Sequence, residues 1–337
     1  MNEKNIKIIC GLIASLSFFL VALGGFVRAT GAGLSCPDWP LCYGMIVPDD
    51  LKNGIAQEVG HRYLAGLTSI LTIAAFYFSF QQRFVFPKLF KAMVLAVSVL
   101  LVQVVLGGLT VLMKLNPFIV TSHLAMGTIF FQIFAAIAIE AKSEERSEDF
   151  HLEKIQRKNL PEQTTAIRWF LFLTFAVFLQ ILIGGFVGSS GASLVCTGLI
   201  TCEAFNAVSQ DSLLPIQALH MTHRIMAFII LSLLVGTFFY FTSKRLFKKN
   251  QRKLFKKILL LLLLQITLGF TNVLFQIPVI ITVLHLAVAQ LILLCLFHLF
   301  KTEKMLSFFE DNRSLEDDSQ MSISVRNFRY SKKPTIY

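Results

Sequence analysis

Eight apolar stretches recur along the sequence, centred on residues 6–27, 59–80, 89–112, 118–139, 167–187, 214–241, 255–275 and 279–300. A helix of about 20 residues crosses roughly 30 Å of hydrocarbon. Inside a bilayer every backbone N–H and C=O must find its partner within the chain, so such segments are helices. The sequence therefore predicts an all-α integral membrane protein with eight transmembrane helices. Composition excludes an ordinary soluble domain: 55% of residues are hydrophobic, 15% are charged, and mean hydropathy is +0.67. The first span has no small-residue cleavage site and reads as a retained helix.

Charge sets the orientation. The formal net charge is +11, which in a soluble protein would suggest nucleic acid. Here the basic residues flank spans: Lys4 and Lys7, then Arg83, Lys88 and Lys91, then a cluster in 142–158, a longer one from Lys244 to Lys257, and the tail beyond Lys301. The opposite loops hold only Arg28, Lys52, Arg62, Lys114 and Arg224. By the positive-inside rule both termini are cytoplasmic, and no aromatic-interleaved basic patch supports nucleic-acid binding. The short amino terminus favours a bacterial cytoplasmic membrane over a mitochondrial one. Cys36, Cys42, Cys196 and Cys202 then lie in outer loops facing an oxidising compartment, where disulfides persist. Cys10 and Cys295 lie near inner ends of spans and read as small buried hydrophobes.

The chain is written twice. GGFVRATGAGLSC (24–36) aligns with GGFVGSSGASLVC (184–196) at an offset of 160, which also carries Cys42 onto Cys202. GHR (60–62) matches THR (222–224), and SHLAMG (122–127) matches LHLAVA (284–289), both at an offset of 162. A repeat of four spans keeps its orientation, so the expected architecture is two tandem four-helix bundles related by a pseudo-twofold axis along the membrane normal. The expected divisions are a first bundle over 1–140, a cytoplasmic linker over 141–165 containing Pro161, a second bundle over 166–301 and a cytoplasmic tail over 302–337. QVVLGG (103–108), QILIGG (180–185) and QITLGF (265–270) place glycines at the outer ends of spans three, five and seven, where they serve helix packing or the approach of a flat ligand.

Of seven histidines, His151 falls in the inner linker and His298 at an inner helix end. The other five, His61, His123, His220, His223 and His285, lie near the outer ends of even-numbered spans. An ionisable group in a bilayer needs a partner or a purpose. His61 and His123 are 62 residues apart, as are His223 and His285, so each half presents two imidazoles at similar depth. Zinc would want three or four ligands with a short local spacing. Two facing imidazoles with apolar walls suit the axial positions of a haem, and the absence of CxxCH speaks against covalent c-type attachment. The halves differ three residues earlier: Glu58 precedes His61, whereas His220 precedes His223. Glu58 is either an acid–base group beside a reactive haem or a carboxylate favouring its helix amino terminus. Unequal decoration suggests one haem as substrate and the other as cofactor.

VRATGAGLSCPDWPLCYG (27–44) followed by EVGHR (58–62) closely resembles the outer loop and second helix of haem A synthases, and the likeness runs from residue 6 to 300. The resemblance implies an enzyme that oxidises a methyl group of haem O to the formyl group of haem A by two hydroxylations and a dehydration. It implies His61 and His123 as axial ligands of the substrate haem, Glu58 as the catalytic acid–base residue, and His223 and His285 as axial ligands of a haem b cofactor. His220, Arg62 and Arg224 would stand behind those ligands. Cys36–Cys42 and Cys196–Cys202 would be disulfides fixing lids over the two halves, structural or, for the first, redox-active. Implied partners are the farnesyltransferase that makes haem O (haem O synthase), an assembling haem–copper terminal oxidase and the lipid bilayer. The alternatives are a di-haem b-type electron-transfer cytochrome, a quinone-linked thiol oxidoreductase and a haem exporter.

Overall fold

The computed structural model describes residues 3–147, 160–196, 198, 202 and 210–301. Eight helices span them: α1 (Glu3–Ala29), α2 (Ile55–Gln81), α3 (Pro87–Leu112), α4 (Pro117–Ser147), α5 (Leu160–Ser189), α6 (Gln210–Ser243), α7 (Lys249–Leu274) and α8 (Val279–Lys301). Each contains a segment long and apolar enough to cross a membrane. The chain is an all-helical, multi-pass membrane protein, with no β-strand among the described residues and an isolated bridge between Cys42 and Met45.

Prolines mark helix beginnings, where the missing N–H would have no intrahelical partner anyway: Pro87 opens α3 and Pro117 opens α4. Pro161 does the same in the first turn of α5, so helix reaches into the segment read as linker from both sides, to Ser147 and from Leu160. The Glu, Ala, Lys and Arg of 140–147 are strong helix formers that need no apolar periodicity once outside a bilayer. Residues 148–159, with His151, and the tail 302–337 lie outside the described residues.

Two apolar cores form. One draws on α1 to α4, with Ile6, Ile13, Ala75, Met93 and Phe134 fully buried. The other draws on α5 to α8, around Phe170, Leu234, Phe255 and Leu296. Between these groups α4 packs on α5, and Gln290 Nε2 donates to Thr128 Oγ1 at 3.0 Å in a buried setting. Lipid tails are as apolar as leucine, so close packing at small residues supplies much of the helix association. Leu124 of α4 lies over Gly185 of α5, where an added Cβ would come within 2.6 Å of its Cδ2. Leu286 of α8 lies likewise over Gly25 of α1, at 2.8 Å. These residues correspond in the repeat, so the contact is made twice, reciprocally, as in an isologous interface. Large side chains such as Phe19, Ile70, Leu101, Phe175 and Leu263 stay exposed on helix faces that a bilayer would cover.

After α1 and after α5 the chain makes the same turn. Gly31 and Gly191 take φ of 72° and 76°, a left-handed conformation that costs other residues dearly, and each opens a short 3-10 turn, Ala32–Leu34 and Ala192–Leu194. These turns deliver Cys36 and Cys196 to equivalent places at one end of the helices.

Candidate functional site

A cavity of about 540 Å³ opens between the helices and is lined from both groups of four. Its walls are mostly apolar, and its polar lining includes His61, His123, His220, His223, His285, Glu58, Arg28, Arg62 and Arg224. The four paired histidines share one pose. Each imidazole presents Cε1 to a glycine on an odd-numbered helix: His61 to Gly24, His123 to Gly107, His223 to Gly184 and His285 to Gly269. A Cβ added at those glycines would sit 3.3, 3.1, 2.8 and 3.1 Å from the ring carbon, so the absence of a side chain is what seats each ring. The glycines at the ends of α3, α5 and α7 thus serve the histidines directly.

Glutamines one helical turn before three of those glycines brace the rings. His123 Nδ1 lies 3.1 Å from the Gln103 carbonyl, and the Gln103 amide nitrogen is 3.4 Å from Nε2. Donation from Nδ1 to the carbonyl makes Nε2 the acceptor, which here faces the Gln103 amide and is the atom a metal would engage in its place. Gln265 Nε2 lies 3.3 Å from His285 Nε2. On the remaining pair, Gln180 Nε2 approaches His223 Nδ1 at 3.1 Å while donating to the His223 carbonyl at 2.7 Å. The repeat counterpart of Gln180 is Leu20. His61 therefore has no such brace, and its Nδ1 is buried without a hydrogen-bond partner. Among the described residues no group of three or more His, Cys, Asp and Glu gathers as a metal cage. Paired imidazoles, an unsatisfied ring nitrogen on His61 and side-chain-free glycine seats around an apolar cavity fit a flat metal macrocycle rather than a bare ion.

Both cysteine pairs are disulfides, with Cα–Cα separations of 4.8 Å for Cys36–Cys42 and 4.5 Å for Cys196–Cys202. Each loop is latched by an arginine one residue beyond the histidine. Arg62 Nη1 donates to the carbonyls of Asp38, at 2.9 Å, and Leu41, while Nη2 meets Glu58 Oε1 at 2.5 Å. Glu58 Oε2 accepts the Cys36 N–H at 2.8 Å. In the other half Arg224 donates to the carbonyls of Cys196, at 2.7 Å, and Gly198, at 2.5 Å, and through Nε to His220 Nε2 at 3.2 Å. Glu58 and His220 are equally buried, each 4% exposed. They fill the same place in the same latch, and only the first supplies a negative charge. Trp39 stands over Gly108 of α3, where a Cβ would lie 3.0 Å from its ring, and lines the cavity.

Asp38 organises the tip of the first loop by accepting the N–H groups of Tyr43, at 2.7 Å, and Gly44, at 2.8 Å. The Gly44 N–H above all holds its carboxyl below the ordinary 3.8, with smaller help from Tyr43 and the Arg62 charge. A depressed folded-state pKa stabilises the loop above the unfolded value and stops doing so as pH falls through the folded one. Hydrogen exchange at Tyr43 and Gly44 is accordingly expected to lose protection as pH falls below about 4, and D38N to show no such pH dependence in that window.

The chain matches the model of the COX15-CtaA family, cytochrome oxidase assembly proteins, over residues 7–58 and 51–297. It is 31% identical over 318 residues to a haem A synthase of Shewanella oneidensis, covering 83% of this chain and 91% of that protein. The chain belongs to the haem A synthase family. More distant haem A synthases include those of Staphylococcus haemolyticus, 23% identical over 290 residues (84% and 90% of the two chains), and Staphylococcus aureus strain JH9, 22% over 291 (84% and 90%).

In this family member every site residue expected from the sequence lies among the described residues, and the five histidines, Glu58, Arg62 and Arg224 all line the one cavity. Sequence reading missed the three bracing glutamines and Arg28. The first had a signal, a glutamine four residues before the glycine in three odd-numbered helices. Arg28 had one too, being a substitution inside an otherwise aligned GGFV segment whose counterpart is Gly188.

Proposed function

We propose that the chain oxidises a methyl group of haem O to the formyl group of haem A. The observation that carries this reading is the fourfold, repeat-matched seating of an imidazole against a glycine within one cavity. On this reading α1 to α4 form the substrate half, with His61 and His123 as axial ligands of haem O. Helices α5 to α8 form the cofactor half, where His223 and His285 would hold haem b. Haem b, when bound there, carries single electrons.

The methyl carbon would be hydroxylated twice, each time a two-electron oxidation by an oxidant supplied from outside the chain, and the resulting geminal diol would lose water to leave the aldehyde. Glu58 marks the substrate half, because it alone among the matched latch residues can hold and release a proton as a carboxyl. Its Oε1 and Oε2 are fixed by Arg62 and by the Cys36 N–H, so a proton would be handled at a defined position in a site largely closed to water. The disulfide loops act as lids. Cys36 and Cys42 are 0% and 2% exposed, which suits a structural bridge better than thiol exchange. The chain would sit in a bacterial cytoplasmic membrane with both termini inside. It would receive haem O from its farnesyltransferase and hand haem A to an assembling haem–copper oxidase.

The test is chromatography of acid-extracted haem from membranes containing this chain and a haem O producer. A new, more polar haem bearing a formyl group is expected. Unchanged haem O in membranes that hold folded, haem-loaded protein would sink the enzymatic reading in favour of a di-haem electron carrier.

A further inference from the structure

Arg28 ends α1 and points into the seam between the two groups of helices. Its guanidinium lies against Gly188 of α5, where an added Cβ would come within 2.7 Å of Cζ, so a larger residue there would displace it. Gly188 is the repeat counterpart of Arg28 itself, and a second arginine there would put two cations in one place. Arg28 is partly buried, lines the cavity and makes no hydrogen bond or ion pair among the described residues, whereas Arg62 and Arg224 are committed to loop carbonyls. A desolvated guanidinium with five unused donors is unfavourable unless an anion meets it, and its planar fork suits a carboxylate.

Position narrows the anion further. Gly24 and Arg28 stand four residues apart on α1, and Gly184 and Gly188 four apart on α5, about 6 Å along each helix. The guanidinium therefore sits one turn toward the disulfide loops from the seat of His223. Resting on the haem reading above, we infer that Arg28 reaches across the seam to bind a carboxylate of the porphyrin held by His223 and His285. A tetrapyrrole otherwise offers this apolar cavity no negative group, so the contact would set its rotation about the iron axis and select diacid porphyrins over their esters.

The experiment uses the full-length chain stripped of haem and carrying His61→Ala, so that the second half alone reports. Haemin and haemin dimethyl ester are titrated into this protein with Arg28 intact, with Arg28→Gln and with Arg28→Lys. With Arg28 intact, haemin should be preferred by about tenfold or more, the value of a charge-assisted pair. R28Q should lose that preference and R28K should keep part of it. Two further readouts separate ligand binding from a structural role. Removing an unpaired cation should raise the melting temperature of the stripped protein, and the midpoint potential of the bound haem should fall, because a nearby positive charge favours the ferrous state. Equal discrimination by R28Q and Arg28 proteins overturns the inference alone, as does an effect of R28Q that appears only when His61 is present. Failure of the wild-type chain to take up either porphyrin overturns the haem reading and this inference with it.

Discussion

Alanine at His223 or His285 is expected to strip the b-type absorption from the purified protein, while alanine at His61 or His123 abolishes formyl haem and leaves that absorption in place. On the proposed reading each imidazole would bond the iron at its seat, so its loss would leave a coordination site that neighbouring glycine and apolar carbons cannot fill. The same argument extends to the opposite wall. Gly184→Leu brings a branched side chain against His223, where even a Cβ would stand 2.8 Å from Cε1. The ring must leave its seat, and the spectrum of G184L should approach that of H223A although the ligand is still encoded. Absorption spectra and extracted-haem ratios of the variants check this. Retained b-type bands in H223A and H285A would refute the assignment of that half.

Glu58→Gln is expected to lower turnover by at least about a hundredfold, the typical contribution of a positioned proton-transfer group. Glu58 accepts from two donors, the Cys36 N–H at 2.8 Å and Arg62 at 2.5 Å, and an amide would turn an N–H toward one of them. Breaking a buried ion pair costs about 3–5 kcal/mol when the survivor is stranded. Arg62 keeps its loop carbonyls, so the penalty here should fall below that range. A latch role and a proton role therefore separate experimentally. If Glu58 only holds the loop, loss of turnover will track loss of thermal stability and of bound haem O. If it moves protons, E58Q will hold haem O and still fail to oxidise it. Near-normal turnover in a folded E58Q would dismiss the proton role.

Much of the site was legible because membrane chemistry restricts what a sequence can mean. Eight apolar stretches had few structural options, and all eight appear as helices. Histidines 62 residues apart in each repeat were conspicuous because intramembrane ionisable groups are rare. Helix ends were less legible, since 141–147 carries no apolar pattern and is nevertheless helical up to Ser147.

The sequence by itself determined the helices, the repeat, the histidine pairs and the cysteine spacing, because length, hydropathy and periodicity act locally along the chain. Tertiary structure alone decided which glycine faces which imidazole, that Glu58 and His220 are matching parts of a loop latch, and that Arg28 crosses to its own repeat counterpart. Those relations join residues as many as 162 positions apart. Their physical cause is steric and mutual: a ring or guanidinium occupies space only where another helix presents no side chain, and no single helix carries that information.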